Sequence, residues 1–293
     1  MHPYLLHNDK IQETTAPLIS PGQVGFMNGW GIFSTIRVSQ GVLFAYQRHY
    51  DRMWRDAELM RVPLGISAKD LEKALLKLVA ANNALDATLR VAIVRNKGNL
   101  FESPNLDRET DLIAFTAPLS EWGSSVKLSY VPNGRHAASP FAGTKITSWA
   151  QNLTWHEEAH ERGFDEVILL NEHGQVSECT SANIFIVEGS NVWTPPLTSS
   201  GCLPGVTRAL LLEEIQIPGF TVAERDLSPA ELEAADQAFI TSTTRDLIPI
   251  LEVDHRPLRQ SPEAFDKLRQ AFLNYRATYV TNHSTTVEEI LTK

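Results

Sequence analysis

The first half of the chain alternates between hydrophobic and polar positions in a way that predicts a hairpin followed by two helices. Residues 33–38 broadly alternate between apolar and polar side chains, a Ser39-Gln-Gly41 turn follows, and residues 42–44 return as a short apolar run. A helix is predicted at about residues 49–60, and a second one begins at Ser67, with Asp70 three residues further on. The apolar positions of this second helix recur at the spacing of one buried face: Leu71, Leu75, Leu78 and Val79.

Two further apolar runs, residues 89–94 and 112–116, predict strands that complete a small α/β domain. The chain then becomes rich in Pro, Gly and Ser before a fresh strand begins at Val126. We therefore predict a small α/β domain at residues 1–119, a linker at 120–125 and a larger domain at 126–293.

The larger domain is predicted to be rich in β-strands, which makes the fold class α+β. A loop that ends at Lys145 leads into a helix at residues 148–161, and Ser228 with Glu231 forms a capping box in front of another helix. The remaining predicted elements are strands at 126–131, 166–170, 183–187 and 237–240, a helix that Gly205 opens and that runs through residue 212, and a closing helix at 261–279.

Composition narrows the class of protein. Hydrophobic residues make up 43% of the chain and charged residues 21%, which is typical of a globular protein. The net charge of -9 disfavours a general nucleic-acid binder, because phosphate neutralisation needs a basic surface. The two cysteines, Cys179 and Cys202, exclude a disulfide framework, and we interpret the helical pair His156 and His160 as surface histidines rather than as a metal site. We expect a cytoplasmic protein without a membrane span.

Four motifs resemble the class IV (fold type IV) aminotransferases, and together they extend over nearly the whole chain. They are YQRHYDRMWRDAELM (46–60), GTKITSWAQNL (143–153), GFDEVILLNEHGQVSECTSANIFIV (163–187) and TPPLTSSGCLPGVTR (194–208). The family includes branched-chain, D-amino acid and amine transaminases and aminodeoxychorismate lyase. The resemblance implies pyridoxal 5′-phosphate as cofactor, a small α/β domain with a larger β-rich pseudobarrel domain, amino acid and 2-oxo acid substrates, and a homodimer.

The resemblance assigns three residues to the chemistry of the cofactor. Lys145 matches the lysine that carries the cofactor. This role needs an amine, which can bond the cofactor aldehyde and later move a proton at the substrate Cα. Glu178 matches the carboxylate that keeps the pyridine nitrogen protonated. Arg52 matches the arginine that binds the phosphate, with Arg48 and Arg55 of the same predicted helix as rivals.

Two small-residue segments resemble the rest of the cofactor site. Val206 and Thr207, after Gly205, match a phosphate cup in which N–H groups at a helix start bind the dianion. The turn at residues 241–244 matches a second cup, in which we assign Thr243 to the cofactor and Thr244 to the substrate. Without the motif series, each of these features would be an ordinary loop or cap.

Substrate residues are less distinctive in the sequence. Phe33, Arg37 and Arg90 match family pocket positions. Ser34-Thr35, however, replaces the Glu-Gly pair typical of branched-chain enzymes and is closer to the Thr-Thr of aminodeoxychorismate lyases. Trp30, Phe33 and Trp149 are candidates for an apolar pocket.

Two further departures concern the substrate class. The Arg-x-His pair of D-amino acid enzymes is absent, since Asn99 and Leu100 follow Gly98. Thr88 and Ala150 stand where tyrosines occur in relatives. On balance we expect transamination of an apolar, branched-chain-like amino acid.

Two other functions stay open at this point. A lyase of the 4-amino-4-deoxychorismate type would use the same lysine to remove the same proton while a leaving group departs from the β carbon. A cofactor-free scaffold is the third possibility, although such a protein has no need for Lys145, Glu178 and Arg52 together.

Overall fold

The computed structural model describes residues 1–98 and 106–284, and the chain forms two compact units. The first unit consists of Met1–Ser120, Thr144–Trp149 and the segment from Arg276 onward, and the second consists of Glu121–Gly143 and Ala150–Tyr275. The sequence predicts one domain at residues 126–293, whereas the Lys145 segment and the chain from Arg276 onward group with the first unit. Asn99 and Leu100 lie outside the described residues.

The first unit is a six-stranded sheet with helices. Its elements are β1 (Tyr4–His7), β2 (Lys10–Glu13), α1 (Val24–Asn28), β3 (Gly31–Ser39), β4 (Val42–Leu43), α2 (Tyr46–Met60), α3 (Ala68–Ala81), β5 (Ala87–Arg95) and β6 (Thr110–Ala117). The strand order is β2-β1-β6-β5-β3-β4, and every pairing is antiparallel.

The two faces of this sheet have different environments. Residues such as Ile36, Leu89 and Ala114 point into a core that α2 and α3 cover with Met53 and Leu75. The opposite face is half-buried, as the alternation of buried and intermediate positions along β5 shows. Residues on this second face are therefore available to a ligand.

The second unit is built on a nine-stranded sheet. Its elements are β7 (Val126–Val131), α4 (Ala150–Glu161), β8 (Glu166–Leu170), β9 (Val176–Cys179), β10 (Asn183–Glu188), β11 (Asn191–Thr194), α5 (Leu197–Ser200), α6 (Val206–Glu213), β12 (Thr221–Glu224), α7 (Pro229–Ala234), β13 (Gln237–Ser242), β14 (Asp246–Val253), β15 (Arg256–Pro257) and α8 (Pro262–His283), whose last turns belong to the first unit.

Its strands follow the order β12-β11-β10-β13-β14-β7-β8-β9, with β15 paired to β14. The β7 pairings with β8 and β14 are parallel, and those of β13 with β10 and β14 are antiparallel. Strands β8 and β9 are buried along their whole length, so this part of the sheet is covered on both faces. The predicted α+β class with a β-rich second half is confirmed.

Local signals predicted several boundaries well. Ser67 Oγ accepts the Asp70 N–H at 3.2 Å, and Ser228 with Glu231 forms the predicted capping box. Several elements were not predicted. Among them are the β1–β2 hairpin, which is short and polar, and β14, which contains Pro249, a residue that lacks a backbone donor and is unusual in a central strand.

No helix among residues 1–98 and 106–284 combines the length and the apolar character that a membrane span requires.

Leu75 tests the core of the first unit. Its side chain is completely buried between α3 and the sheet. We expect Leu75→Ala to lower the free energy of unfolding by about 2–5 kcal/mol, through lost apolar burial and the remaining cavity. The control is Leu59→Ala on α2, which is 43% exposed and should change stability by less than about 1 kcal/mol. Urea denaturation followed by circular dichroism measures both, and equal losses would contradict the described core.

Candidate active site

The backbone of Lys145 is fixed by two neighbouring elements. Its carbonyl oxygen accepts the Phe33 N–H of β3 at 3.0 Å, and its own N–H donates to Asp56 Oδ2 of α2 at 3.0 Å. The following residue, Ile146, forms an antiparallel bridge with Ile32. Asp56 is itself buried and forms an ion pair with Arg55. The Lys145 segment thus extends the β3 edge of the sheet.

The side chain of Lys145 lies among aromatic rings on the half-buried face of the sheet. Its Nζ is 4.6 Å from the centre of the Phe33 ring and 5.8 Å from that of Trp149, and these two rings meet edge to face. The guanidinium carbon of Arg90 lies 3.9 Å from the centre of the same Phe33 ring. The structure therefore brings two cationic groups together on one aromatic side chain.

Strand register explains which residues share this face. Thr35 pairs with Arg90 across β3 and β5, and Phe33 and Arg37 lie two residues to either side of Thr35. Alternate residues of a strand point to the same side, so all of these side chains face the same way. Trp30 differs from the other candidate pocket residues, since it packs against the core of the unit and donates Nε1–H to Met60 O at 2.8 Å.

The three arginines of α2 have different environments. Arg52 is buried and donates from Nη2 to Ser34 Oγ at 3.0 Å, whereas Arg48 is half-buried and Arg55 forms the ion pair with Asp56. Ser34 follows Phe33 on β3 and so points to the opposite face of the sheet. Among the three, Arg52 is the one that the fold holds in its interior.

In the second unit, Glu178 lies near the end of β9 with both carboxylate oxygens engaged. Arg135 Nε donates to Oε1 at 2.8 Å, and the Leu203 N–H donates to Oε2 at 3.0 Å. Leu203 in turn accepts the Gly205 N–H at 2.8 Å through its carbonyl oxygen. A single segment of chain thus connects Glu178 with the start of α6.

The start of α6 leaves hydrogen-bonding groups available for an anion. Gly205 is the N-cap residue and provides no side-chain cap, and the first bond of the helix runs from Ala209 N–H to Gly205 O at 2.9 Å. A Cβ at Gly205 would overlap Asn183 Oδ1, which explains the glycine. The Thr207 hydroxyl is buried and has no hydrogen-bond partner among the described residues. Amides of a first turn and an unpaired hydroxyl are suited to bind phosphate.

The turn between β13 and β14 begins later than the sequence suggested. Thr241 belongs to β13, and the half-buried Thr243 and Thr244 form the turn itself. Arg245 after them is buried, with its Nη1 at 2.6 Å from Ser181 Oγ and its Nη2 at 3.6 Å from Glu166 Oε2. Sequence reasoning gave no signal for this buried ion pair, because its residues are far apart in the chain.

Comparison with known proteins identifies the family of this chain. The family model described as Amino-transferase class IV matches residues 31–253, and the chain belongs to this family. The putative branched-chain-amino-acid aminotransferase of Methanocaldococcus jannaschii is 28% identical over 279 residues, covering 93% of this chain and 96% of that protein. D-alanine aminotransferase of Bacillus licheniformis is 26% identical over 254 residues, or 85% and 88% of the two chains.

A solved structure shows the same fold. The branched-chain aminotransferase of the archaeon Thermoproteus uzoniensis, crystallised with norvaline, superposes with a TM-score of 0.85 at 25% identity and covers 96% of this chain and 98% of its own. The predicted fold type IV architecture is confirmed. The protein is a class IV aminotransferase, and the cofactor of this family is pyridoxal 5′-phosphate.

The residues present fit that cofactor. The unpaired Thr207 hydroxyl and the uncapped first turn of α6 suit a phosphate group, and Lys145 provides a primary amine next to aromatic rings. Of the residues that the sequence predicts for the site, the first unit contains Lys145, Arg52, Phe33, Arg37 and Arg90. The second unit contains Glu178, Val206, Thr207, Thr243 and Thr244.

The two thiols near Glu178 provide a test of burial. Burial, and then the charge of Glu166, raises the pKa of Cys179 well above its usual value, and burial followed by the charge of Glu178 raises the pKa of Cys202 to about 11. Both groups should therefore be protonated and unreactive at pH 8. We expect Ellman's reagent to modify neither thiol in the folded protein and both in guanidinium chloride. Rapid modification of native protein would contradict the described packing.

Proposed function

We propose that this aminotransferase moves an amino group between an apolar, branched-chain-like amino acid and a 2-oxo acid. The observation that carries the proposal is the Phe33 ring, which Lys145 Nζ and the Arg90 guanidinium both approach. An amino acid needs a basic amine near its Cα, a cation for its carboxylate and apolar surface for its side chain. These three requirements are met by Lys145, Arg90 and the pair Phe33 and Trp149.

The state of Arg90 supports carboxylate binding. It is half-buried, and burial lowers its pKa, yet no carboxylate pairs with it in the part of the chain that the structure describes. A desolvated guanidinium is stabilised by an anion. We assign Arg90, Arg37, Phe33 and Thr244 to the substrate, and the name of the M. jannaschii relative supports a branched-chain substrate.

We assign the cofactor to Lys145, Arg52, Glu178, Val206, Thr207 and Thr243. When bound, pyridoxal phosphate accepts the electrons that are released at the substrate Cα. Lys145 Nζ would take the proton from the substrate Cα and deliver it to the cofactor carbon C4′. Glu178 would accept a hydrogen bond from the ring nitrogen, and Arg52, the Thr207 hydroxyl and the α6 amides would hold the phosphate.

The family resemblance also supports a homodimer, which sedimentation velocity of the holoenzyme tests. One dimer-sized species over a tenfold range of concentration is the expected result, and a monomer would contradict this part of the proposal.

A donor panel distinguishes the proposed reaction from its alternatives. We expect valine, leucine and isoleucine to be deaminated with 2-oxoglutarate or pyruvate as acceptor, and no turnover without an acceptor. The Ser34-Thr35 pair favours the alternative, a 4-amino-4-deoxychorismate lyase. Turnover of that compound in the absence of any 2-oxo acid would replace our proposal. Both enantiomers of each donor belong in the panel, with Lys145→Ala as the inactive control.

Glu178 should matter for rate more than for affinity. Its charge is most valuable when electrons move into the cofactor ring, so it stabilises the transition state more than the ground state. We expect Glu178→Gln to lower kcat by about 10²-fold or more, with a smaller change in cofactor affinity. The control is Glu157→Gln on the exposed side of α4. A near wild-type rate of Cα-proton removal in single turnovers would remove Glu178 from the mechanism.

Arg52 should matter for cofactor affinity more than for the rate of the reaction. Phosphate anchoring is shared by the ground and transition states, so its loss weakens binding without changing chemistry in saturated enzyme. We expect Arg52→Ala to weaken pyridoxal phosphate binding at least tenfold while kcat at saturating cofactor changes little. Arg48→Ala, in which the substituted side chain is half-buried on the same helix, is the matched control. A larger affinity loss in the Arg48 variant would show that the other arginine binds the phosphate.

A further inference from the structure

A buried chain of three polar side chains connects α2 with β3. His49 and Arg52 lie on the same face of α2, one helical turn apart, and Ser34 faces them from β3. Ser34 Oγ is 2.9 Å from His49 Nδ1 and 3.0 Å from Arg52 Nη2. His49 and Ser34 are completely buried. Polar groups with no access to water are retained only where their hydrogen bonds repay the cost of burial.

Hydrogen-bond counting assigns the protons in this chain. Arg52 can only donate, so Ser34 Oγ accepts from it. If Ser34 donates its own proton to His49 Nδ1, the imidazole Nε2–H is the one group of the serine and the imidazole that lacks a hydrogen-bond partner among the described residues. If Nδ1 donates instead, both the Ser34 proton and Nε2 lack a partner. The first arrangement leaves fewer unmet buried groups, so the direction of the chain is Arg52 to Ser34 to His49.

A neutral imidazole is required for this direction. Burial lowers the pKa of His49 well below its usual value, and the positive charges of Arg52 and Lys145 lower it further. Neutral His49 therefore accepts at Nδ1 and orients the Ser34 hydroxyl, which leaves the serine lone pairs turned toward Arg52. One N–H of the guanidinium is thus fixed, and this hydrogen bond together with the Arg52 side chain restricts the orientations that the planar guanidinium can adopt.

We infer that Ser34 and His49 are positioning residues that fix the Arg52 guanidinium in the orientation that binds the cofactor phosphate. This inference rests on the proposed role of Arg52. Neither residue touches the cofactor in this assignment, and both act through the arginine. The Ser34-Thr35 departure noted in the sequence then has a function of its own, since a hydroxyl at position 34 serves as the acceptor for Arg52.

The test compares the affinity of the apoenzyme for pyridoxal phosphate and for pyridoxal, which lacks the phosphate. Tryptophan fluorescence quenching measures both. We expect Ser34→Ala and His49→Phe to weaken pyridoxal phosphate binding about tenfold, the effect of losing a hydrogen bond to a charged group, and to leave pyridoxal binding within twofold of wild type. Ser34→Thr keeps the hydroxyl and should restore the wild-type ratio of the two affinities.

The control is Tyr50→Phe. It removes another hydrogen bond from α2, that of Tyr50 Oη to Ile66 O at 2.8 Å, without touching Ser34 or Arg52. A general loss of helix stability would lower both affinities in this variant and in the Ser34 and His49 variants. A selective loss of phosphate-dependent affinity in the latter two supports the inference, and parallel losses for both ligands overturn it.

A double substitution separates this inference from the proposal beneath it. If Ser34 acts through Arg52, then Ser34→Ala should cost little further affinity in an Arg52→Ala background. If Arg52→Ala does not change the ratio of the affinity for pyridoxal phosphate to the affinity for pyridoxal, the phosphate role of Arg52 itself is refuted. The positioning role alone is overturned if Arg52→Ala selectively loses affinity for pyridoxal phosphate while Ser34→Ala and His49→Phe keep the wild-type ratio of the two affinities. His49→Gln replaces His49→Phe if the latter does not fold.

Discussion

The Phe33 N–H donates to the Lys145 carbonyl while Asp56 accepts the Lys145 N–H, so both backbone groups of the lysine are held by the first unit. This double attachment determines what lies on either side of β3. Phe33 points to the half-buried face with the lysine ammonium and Arg90, and Ser34 points to α2 and Arg52. Because successive residues of a strand alternate, a shift of one residue would exchange the two groups. The register of β3 therefore determines which residues are available for the proposed substrate role on one face and for the proposed phosphate role on the other.

In the second unit, a short segment of backbone orients the residues assigned to the cofactor. One short segment connects Glu178, through the Leu203 backbone, to the Gly205 cap and the Thr207 hydroxyl. Asn183 Nδ2 fixes this segment by donating to Leu203 O at 2.9 Å. Backbone groups thus orient the residues assigned to the two ends of the cofactor, the ring nitrogen and the phosphate. Backbone positions are more rigid than side chains, which suits groups that must be in place before the ligand arrives.

Local signals in the sequence predicted much of the fold. The Ser67 cap, the capping box at Ser228 and the strand at residues 126–131 are short-range features, and the structure confirms them. The return of the Lys145 segment to the first unit was not predictable, because a boundary drawn from composition assumes a contiguous domain. Strand β14 was not predicted, and it contains Pro249, which lacks a backbone donor and is unusual in a central strand.

The residues of the candidate site were likewise predicted only in part. Motif order predicts Lys145, Glu178 and Arg52 as site residues, and the Ser34-Thr35 departure is visible in the sequence. Asp56, Arg135 and His49 were not identified, although His49 and Arg52 have the spacing of one helix face. Their roles depend on contacts between residues that are distant in the chain, which one sequence does not reveal. Burial then distinguished Arg52 from Arg48 and Arg55, which sequence alone left as rivals.

The central claim is that Lys145 is the residue that carries the cofactor. The most direct test is to treat the holoenzyme with borohydride, which makes the link between lysine and cofactor permanent, and to map the labelled peptide by mass spectrometry. The account predicts a single label on Lys145 in wild-type protein and none in Lys145→Ala. A label on any other lysine, or none in an enzyme that binds the cofactor, would contradict the account.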